Sequence, residues 1–257
     1  MITAIIPTLN EGSCVGEAIR SVSFADEILV IDSHSSDRTV EIARGMKAKV
    51  IERRFDDFSS QKNFAISKAK NDWILFIDAD ERVSEELGQE IMHAVRNPGG
   101  KVGFHVFRNF YFEGRRIRYG GWQTDKVIRL FDRKSCAYNG NLVHETIETK
   151  GSLGYLVHRL DHYSYRSREH YASKLEHYAR LQAEQLHREN KGWHHGHLLI
   201  KPPFRFFVHY ILRLGFMDGK PGLILAYEHA RGVLKRYLFL RERWAGQNDE
   251  LILKSRA

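Results

Sequence analysis

The sequence predicts an α/β fold with a mostly parallel central sheet and a helical C-terminal part. Over the first hundred residues, short apolar runs alternate with segments of helical spacing. The apolar runs contain few polar residues, which is typical of parallel strands covered on both faces. After about residue 163 the chain becomes helical, basic and aromatic. We therefore predict two domains, residues 1–164 and residues 165–257.

Each predicted element rests on a local pattern. Apolar or alternating runs predict strands at 2–6, 27–31, 49–51, 73–77, 104–112 and 127–131. Apolar residues at helical spacing predict helices at 11–23, 37–46, 59–70, 204–216 and 222–241. Ser84 is typical of a helix N-cap, because Glu85 and Glu86 follow it in what would be the first turn.

Composition limits the function classes. The 257 residues are 42% hydrophobic and 28% charged, as in an ordinary globular protein, and no apolar run is long enough to span a bilayer. The N-terminus lacks the pattern of a signal peptide. Two cysteines, Cys14 and Cys136, predict neither a disulfide framework nor a zinc site and fit a reducing compartment. The net charge of +8 suits nucleic acid, phosphates or an acidic membrane without choosing among them.

Three predicted strands end in polar clusters: PTLNE at 7–11, DSHSSD at 32–37 and DADE at 78–81. Ligands of open α/β sheets collect beyond the carboxyl ends of the strands, so the clusters are expected to converge. Asp78 and Asp80 leave a buried strand two residues apart, a spacing that favours a divalent cation completed by substrate phosphates. The glycine patterns of dinucleotide-binding and P-loop folds are absent. Metal and basic side chains are therefore expected to hold the phosphates.

At these residues the chain resembles family 2 glycosyltransferases of GT-A fold. It is most similar to their lipopolysaccharide-core β-1,4-glucosyltransferase group. The segments that carry the resemblance are IIPTLNEG at 5–12, VIDSHSSDRT at 30–39, QKNFAISKA at 61–69, DWILFIDADE at 72–81, GGWQTDKVIRLFDR at 120–133, NLVHE at 141–145 and DHYSYRS at 161–167. The resemblance implies that residues 1–164 form the catalytic domain.

The resemblance also implies roles on the donor side. The implied nucleotide-pocket residues are Pro7, Thr8, Asn10 and Glu11, with Asp32 at the uracil edge of a UDP-sugar and Lys62 or Asn63 facing the nucleotide or sugar. Asp78 would contact the ribose or the metal shell, and Asp80 would bind Mn²⁺ or Mg²⁺ directly. Asp37 would support its turn. Two questions stay open: whether Glu81 serves the site or pairs with Arg82, and whether Arg129 holds the diphosphate or pairs with an acid at the sheet edge.

Inverting transfer requires a carboxylate that takes the proton of the acceptor hydroxyl. Glu145 is the first candidate, at a position where the family often has a Glu-Asp pair and this chain has His144-Glu145; Asp125 is the second. His162 is expected to be either a metal ligand or a buried, hydrogen-bonded histidine, and His158 is a weaker candidate. The histidines of WHHGH at 193–197 predict a basic loop rather than a zinc site, because no cysteine or acid stands at ligand spacing.

The implied partners are a UDP-sugar donor and a glycolipid or lipopolysaccharide-core acceptor. The basic, aromatic segment 204–216 is expected either to lie on an anionic membrane or to pack on the core. The expected location is cytoplasmic, peripheral on the inner membrane, with no nucleic-acid partner. The alternatives are a sugar-nucleotide nucleotidyltransferase, or transfer to another lipid-linked or protein acceptor. A purely binding role is disfavoured by the acidic strand ends.

Overall fold

The computed structural model of the chain describes residues 1–139, 146–165 and 167–255, with side chains as far as residue 246. Its strands are β1 Ile2–Thr8, β2 Glu27–Asp32, β3 Lys49–Glu52, β4 Trp73–Phe76, β5 Glu81–Arg82, β6 Lys101–Phe112, β7 Arg115–Ile117, β8 Lys126–Asp132, β9 Cys136–Tyr138, β10 Ile147–Thr149, β11 Ser152–Tyr155 and β12 Leu160–Tyr165. Its α-helices are α1 Val15–Ser21, α2 Thr39–Gly45, α3 Phe58–Lys68, α4 Glu85–Arg96, α5 Arg168–Arg188, α6 His195–Leu199, α7 Lys201–Phe207 and α8 Lys220–Ser255. The predicted α/β class with a helical C-terminal part is confirmed.

The large sheet has the strand order β3-β2-β1-β4-β8-β6-β12-β5. Strand β1 is parallel to β2 and β4, and β2 is parallel to β3. Strand β8 is antiparallel to both β4 and β6. The predicted parallel arrangement therefore holds for the first four strands and for the pairing of β11 with β6. No α-helix separates β6 from β8, so this connection lacks the crossover that parallel pairing requires.

The central strands are buried on both faces, as their unbroken apolar runs predict. Ala4 and Ile6 of β1 belong to one apolar cluster, whereas Ile5 between them belongs to a second cluster on the other face. Strand β4 behaves in the same way, with Leu75 in the first cluster and Phe76 in the second. This two-sided packing fixes the register of β1 and β4, and with it the positions of the residues that follow them.

Helix α4 begins where the sequence predicts. The side chain of Ser84 accepts a hydrogen bond from the backbone N–H of Leu87, so Ser84 is the predicted N-cap. Glu85 and Glu86 lie in the first turn, where the positive end of the helix dipole favours acidic side chains. The buried face includes Leu87 and Ile91.

The chain divides into two compact units. The first comprises Met1–Asn109 and Thr124–Ser164, and the second comprises Phe110–Gln123 and Tyr165–Ala257. In the second unit, α5 and α7 both pack against α8. Its apolar clusters are small, with Tyr171 and Leu225 in one and Val233 and Leu240 in the other. Residues 110–123 thus pack with the C-terminal helices, although they precede residue 164 in the chain.

The predicted single helix over 204–216 is wrong. Helix α7 ends at Phe207, a π-helical segment covers Val208–Leu212, and a 3₁₀ turn covers Gly215–Asp218. Leu214 lies in the left-handed region, with φ of 58°, which no helix continues through. Gly215 allows the tight turn that follows, because a Cβ there would lie 2.5 Å from the carbonyl oxygen of His209. None of the helices searched in the described part of the chain is long and apolar enough to cross a membrane.

His229 is buried in the second unit and should make stability depend on pH. Its ring stacks on that of His209, with 4.3 Å between centroids, and lies 5.5 Å from the ring of Trp122. Burial, with a smaller contribution from the charge of His209, lowers the pKa of His229 to about 3. In the unfolded chain the imidazole of this residue takes up a proton near pH 6.5, whereas in the folded chain it stays neutral until a much lower pH. The free energy of unfolding should therefore fall as the pH drops below 6.5.

Between pH 7 and pH 5, His229 is expected to remove about 2 kcal/mol from the free energy of unfolding, as measured by urea denaturation. The variant His229→Phe keeps an aromatic ring at this position and has no group to protonate, so the pH dependence should be smaller by that amount. If both proteins lose the same free energy between these pH values, His229 is not the group responsible.

Candidate active site

Asp32, at the end of β2, has a fully buried side chain. The hydroxyl of Thr8 donates to its Oδ1 atom at 2.8 Å, the hydroxyl of Ser35 donates to the same atom at 2.6 Å, and the backbone N–H of Ser35 donates to Oδ2 at 2.7 Å. These bonds offset the cost of burying the carboxylate and join the carboxyl ends of β1 and β2. A contact between Asp32 and a uracil edge would require Ser35 to move away.

The turn after β1 is joined to the turn after β2 through Asn10. The backbone N–H of Asn10 donates to the hydroxyl of Ser35, and its side-chain oxygen accepts from the backbone N–H of Ser36, both at 2.8 Å. Asn10 has φ of 56°, a conformation that asparagine tolerates better than most residues. Pro7 and Thr8 are the last residues of β1. Of the predicted pocket residues, Thr8 and Asn10 are therefore hydrogen-bonded to the DSHSSD turn.

Asp37 supports this turn. Its carboxylate accepts from the backbone N–H of Gly12 at 2.9 Å and of Thr39 at 3.0 Å. The hydrogen bond from the Thr39 hydroxyl, together with these N–H groups, lowers the pKa of Asp37 below its ordinary value. The backbone N–H of Glu11 donates to the Thr39 hydroxyl at 2.8 Å, and the Glu11 carboxylate accepts from the thiol of Cys14 at 2.9 Å. These contacts hold the two strand ends together.

Glu81 is the buried centre of an ionic network. Its side chain is fully buried, and its Oε1 atom accepts from Arg129 at 2.7 Å and from Arg108 at 3.1 Å. Its Oε2 atom accepts from the backbone N–H of Asp78 at 3.0 Å. The pairing of Glu81 with Arg82 is wrong, because the Arg82 side chain donates instead to Glu17 and to backbone carbonyls. Cross-strand contacts with β6 and β8 provide the partners that the local sequence does not.

Arg129 pairs with Asp78 as well as with Glu81, so the first acid of the DxD motif and the acid that follows the motif contact this one guanidinium. Burial tends to raise the pKa of Asp78, but the charge of Arg129, and then that of Lys62, lowers it below the ordinary value. Asp78 is therefore ionised at neutral pH. The Nε atom of Arg129 is buried and has no hydrogen-bond partner among the described residues.

Asp80 and His162 lie side by side. The Nε2 atom of His162 is 3.5 Å from Oδ2 of Asp80, and both side chains are partly exposed. The antiparallel pairing of β12 with β5 sets His162 opposite Glu81, and the backbone N–H of Tyr163 donates to the Asp80 carbonyl at 2.9 Å. The strand pairing thus holds the late histidine against the DxD motif.

The fit of a metal can be tested on these donors. In the part of the chain that is described, no group of three or more His, Cys, Asp or Glu side chains is arranged as a metal site. Mg²⁺ sites commonly use one or two protein ligands and complete their shell with water and substrate phosphates. One carboxylate and one imidazole, Asp80 and His162, fit such a site on the donor side. Asp78 is engaged by Arg129, which suits an outer-shell or ribose contact better than direct ligation.

A cavity of about 410 Å³ lies beside the end of β4. Because β8 runs antiparallel to β4, its first residues lie next to the residues that follow β4. The charged side chains of the cavity wall are Lys62, Asp78, Lys126 and Arg129. The amine of Lys62 lies 4.9 Å from the ring centroid of Tyr138, another residue of the wall. Three cations and one carboxylate make this cavity suited to an anion.

The other predicted residues have different places. Both polar atoms of the Asn63 side chain bond to the backbone of Tyr138 at 3.0 Å, so Lys62 rather than Asn63 lines the cavity. Asp125 is held by Arg108, with 2.6 Å between Nη2 and Oδ2. His158 pairs with Glu90 on α4. Glu145 and His144 lie outside the described residues.

The sequence matches the profile of glycosyl transferase family 2 over residues 3–148, more than half of the chain. The chain belongs to this family. An uncharacterised glycosyltransferase of Rickettsia typhi is 30% identical to it over 94% of this chain and 87% of that protein. The lipopolysaccharide core biosynthesis glycosyltransferase LpsC of Rhizobium meliloti is 25% identical over 92% of this chain and 93% of that protein.

Among solved structures, this glycosyltransferase is similar to glucosyl-3-phosphoglycerate synthase from Mycobacterium tuberculosis, crystallised with Mn²⁺, uridine diphosphate and phosphoglyceric acid. The match has a TM-score of 0.38 and 22% sequence identity and covers 42% of this chain and 43% of that structure.

Sequence reasoning missed several residues of the site of this glycosyltransferase. Arg108 bridges Glu81 and Asp125, and Lys126 and Tyr138 line the cavity. None of the three stands near the DxD motif in the chain, and they come to it through β6, β8 and β9. Arg108 gave no distinct local signal, because its strand β6 also contains the polar residues His105 and Asn109.

Proposed function

We propose that this glycosyltransferase transfers a sugar from a UDP-sugar to a cell-envelope glycan, with inversion at the anomeric carbon. The observation that carries the proposal is the cationic cavity beside the end of β4, where Lys62, Lys126 and Arg129 accompany one carboxylate, Asp78. A sugar-nucleotide diphosphate has the negative charge that this wall favours. The resemblance to the lipopolysaccharide-core group makes glucose the sugar expected first.

Each donor-side residue has a proposed task. Asp80 and His162 would hold Mn²⁺ or Mg²⁺, and Asp78 would contact the ribose or the metal shell. A divalent ion bound there supplies positive charge that stabilises the departing diphosphate. Lys62 and Arg129 would orient the diphosphate from the cavity wall. Asp32 would receive the uracil edge after Ser35 moves.

The proposed acceptor is a lipopolysaccharide core or a related glycolipid, reached at the cytoplasmic face of the inner membrane. The relative from Rhizobium meliloti, which is named for lipopolysaccharide core biosynthesis, supports this acceptor class over most of both chains. Another lipid-linked or protein acceptor would use the same donor chemistry.

A thermal-shift screen of UDP-sugars, with and without Mn²⁺, tests the donor. A UDP-sugar at about 100 times its Kd should raise the melting temperature by about 5–10 °C when Mn²⁺ is present, and less without it. UDP-glucose should give the largest shift. No shift with any UDP-sugar would overturn the donor proposal. Release of pyrophosphate from UTP and a sugar phosphate would favour the nucleotidyltransferase alternative instead.

The base can be tested with two isosteric variants. Glu145→Gln is expected to lower transfer by about 100-fold while UDP binding is retained, because the acceptor proton then has no base to receive it. Asp125→Asn should cost much less, because the Asp125 carboxylate is already engaged by Arg108. Transfer is measured as UDP release in the presence of a glycolipid acceptor fraction. A larger loss in Asp125→Asn than in Glu145→Gln would move the role of the base to Asp125.

A further inference from the structure

A second cavity, of about 440 Å³, lies in the second compact unit. Residues of α7, of the π-helical segment and of α8 line it, and none of the residues proposed for sugar transfer does. Its wall includes Lys201, Phe204, Arg205, Arg236 and Tyr237.

This cavity has three cations and no carboxylate in its wall. The amine of Lys201 donates to the hydroxyl of Tyr237 at 2.6 Å, and the guanidinium of Arg236 lies 5.2 Å from the centroid of the Tyr237 ring. Nη1 of Arg205 is 3.5 Å from Nε2 of His209. Over the side chains that are described, none of these three cations forms an ion pair with an acid.

Two neighbouring cations on α8 have acidic partners. Lys235 pairs with Glu176, and Arg231 pairs with Glu228. Acids are therefore within reach of this part of α8, yet among the described side chains they do not pair with the three cations of the cavity.

The position of Arg236 favours the binding of an anion in the cavity. Its side chain is half-buried, and its Nε atom is buried with no hydrogen-bond partner among the described residues. Burial, with a contribution from the charge of Arg205, lowers the pKa of Arg236. A half-buried cation without an acidic partner is costly, and an anion in the cavity would offset that cost with charge-assisted hydrogen bonds.

The surface next to the cavity is apolar. Among the described residues, eleven of the twenty large apolar side chains that are exposed lie between residues 199 and 227. Four of them stand in α6, in α7 or between the two: Leu199, Ile200, Phe204 and Phe207, with exposed fractions of 72%, 68%, 62% and 45%. A soluble phosphate would not use such a surface, whereas the acyl chains of a lipid would.

We propose that Lys201, Arg205 and Arg236 bind the phosphate of an anionic membrane lipid while the exposed apolar residues of 199–217 enter the bilayer surface. This lipid site would hold the protein at the membrane, and the proposal rests on the membrane location proposed above. It is independent of the donor site, so the two can fail separately.

Co-sedimentation of the full chain with vesicles tests this site. Vesicles of phosphatidylcholine with about one-third phosphatidylglycerol should bind the protein, and pure phosphatidylcholine should bind it weakly. The double variant Lys201→Gln/Arg205→Gln, at two exposed positions, should weaken binding to the anionic vesicles by about 30-fold. The matched control Arg188→Gln/Arg243→Gln loses the same charge elsewhere in the second unit and should bind nearly as wild type.

Equal losses in the two double variants would overturn the site, because net charge alone would then explain binding. A second pair of variants separates a lipid from a soluble phosphate. Leu199→Ser/Phe207→Ser changes neither cation nor cavity wall and should also weaken vesicle binding. If it has no effect, and inorganic phosphate raises the melting temperature as much as the vesicles do, the ligand is a soluble phosphate and the lipid proposal is wrong. The thermal shift with UDP should be unchanged in all these variants, which reports separately on the donor site.

Discussion

Replacing Asp80 with alanine is expected to lower the turnover of a UDP-sugar by about 1,000-fold or more, equivalent to about 4 kcal/mol. Arg129 engages Asp78 of the DxD pair, whereas Asp80 lies 3.5 Å from His162. Removing it takes away one of the two donors proposed for the divalent ion. Titration calorimetry with Mn²⁺ and UDP should show the loss of metal-dependent binding together with the loss of turnover.

The matched control is Asp72→Ala. Asp72 is an acid just before the start of the same strand β4, where it pairs with Lys134 on the surface. Its removal should leave turnover within about 2-fold of wild type, since exposed ion pairs contribute little. Both variants should keep the far-ultraviolet circular dichroism of the wild type. Undiminished turnover in a folded Asp80→Ala protein would refute the metal assignment.

Replacing Glu81 with glutamine is expected to lower the free energy of unfolding by about 3 kcal/mol. Glu81 is fully buried and accepts hydrogen bonds from both Arg108 and Arg129. Its neutral isostere glutamine would leave these two guanidinium groups with less negative charge nearby to offset their positive charge. The loss should stay near the lower end of what a broken buried ion pair costs, because Asp78 and Asp125 remain as partners. Urea denaturation measures it.

The control for this change is Glu41→Gln. Glu41 forms an exposed pair with Arg38 on α2, and its loss should cost less than about 0.5 kcal/mol. If Glu81→Gln costs no more than Glu41→Gln, the network around Glu81 does not hold β5, β6 and β8 together. Because Asp78 belongs to the same network, Glu81→Gln should also weaken the Mn²⁺-dependent thermal shift with UDP.

The main features of the first compact unit follow from local patterns. Unbroken apolar runs predicted β1, β2 and β4. Strands that are buried on both faces have such runs because neither face can carry polar side chains exposed to water. The turn residues after those strands predicted a shared edge, and Thr8, Asn10 and Ser35 are indeed hydrogen-bonded there. The N-cap at Ser84 could also be predicted from the sequence, because an N-cap hydrogen bond joins residues only three positions apart.

The C-terminal part was predicted less well. The apolar spacing of 204–216 indicates a helix, yet Leu214 adopts a left-handed conformation and the helix ends before it. Periodicity reports which side chains are apolar, and it does not report where the backbone reverses. The many exposed apolar residues of 199–227 show the same limit, since the spacing would be identical in a helix packed on a core.

The family, the parallel strands around β1 and the acids that follow β4 can be predicted from the chain alone, because each of these depends on motifs of residues close together in it. The contacts of those acids depend on the three-dimensional fold. Arg108 and Arg129 reach Glu81 across β6 and β8, and His162 reaches Asp80 through β12. The physical reason is that a buried charge selects whichever opposite charge the strand pairing brings within hydrogen-bond distance, and strand pairing joins residues far apart in sequence.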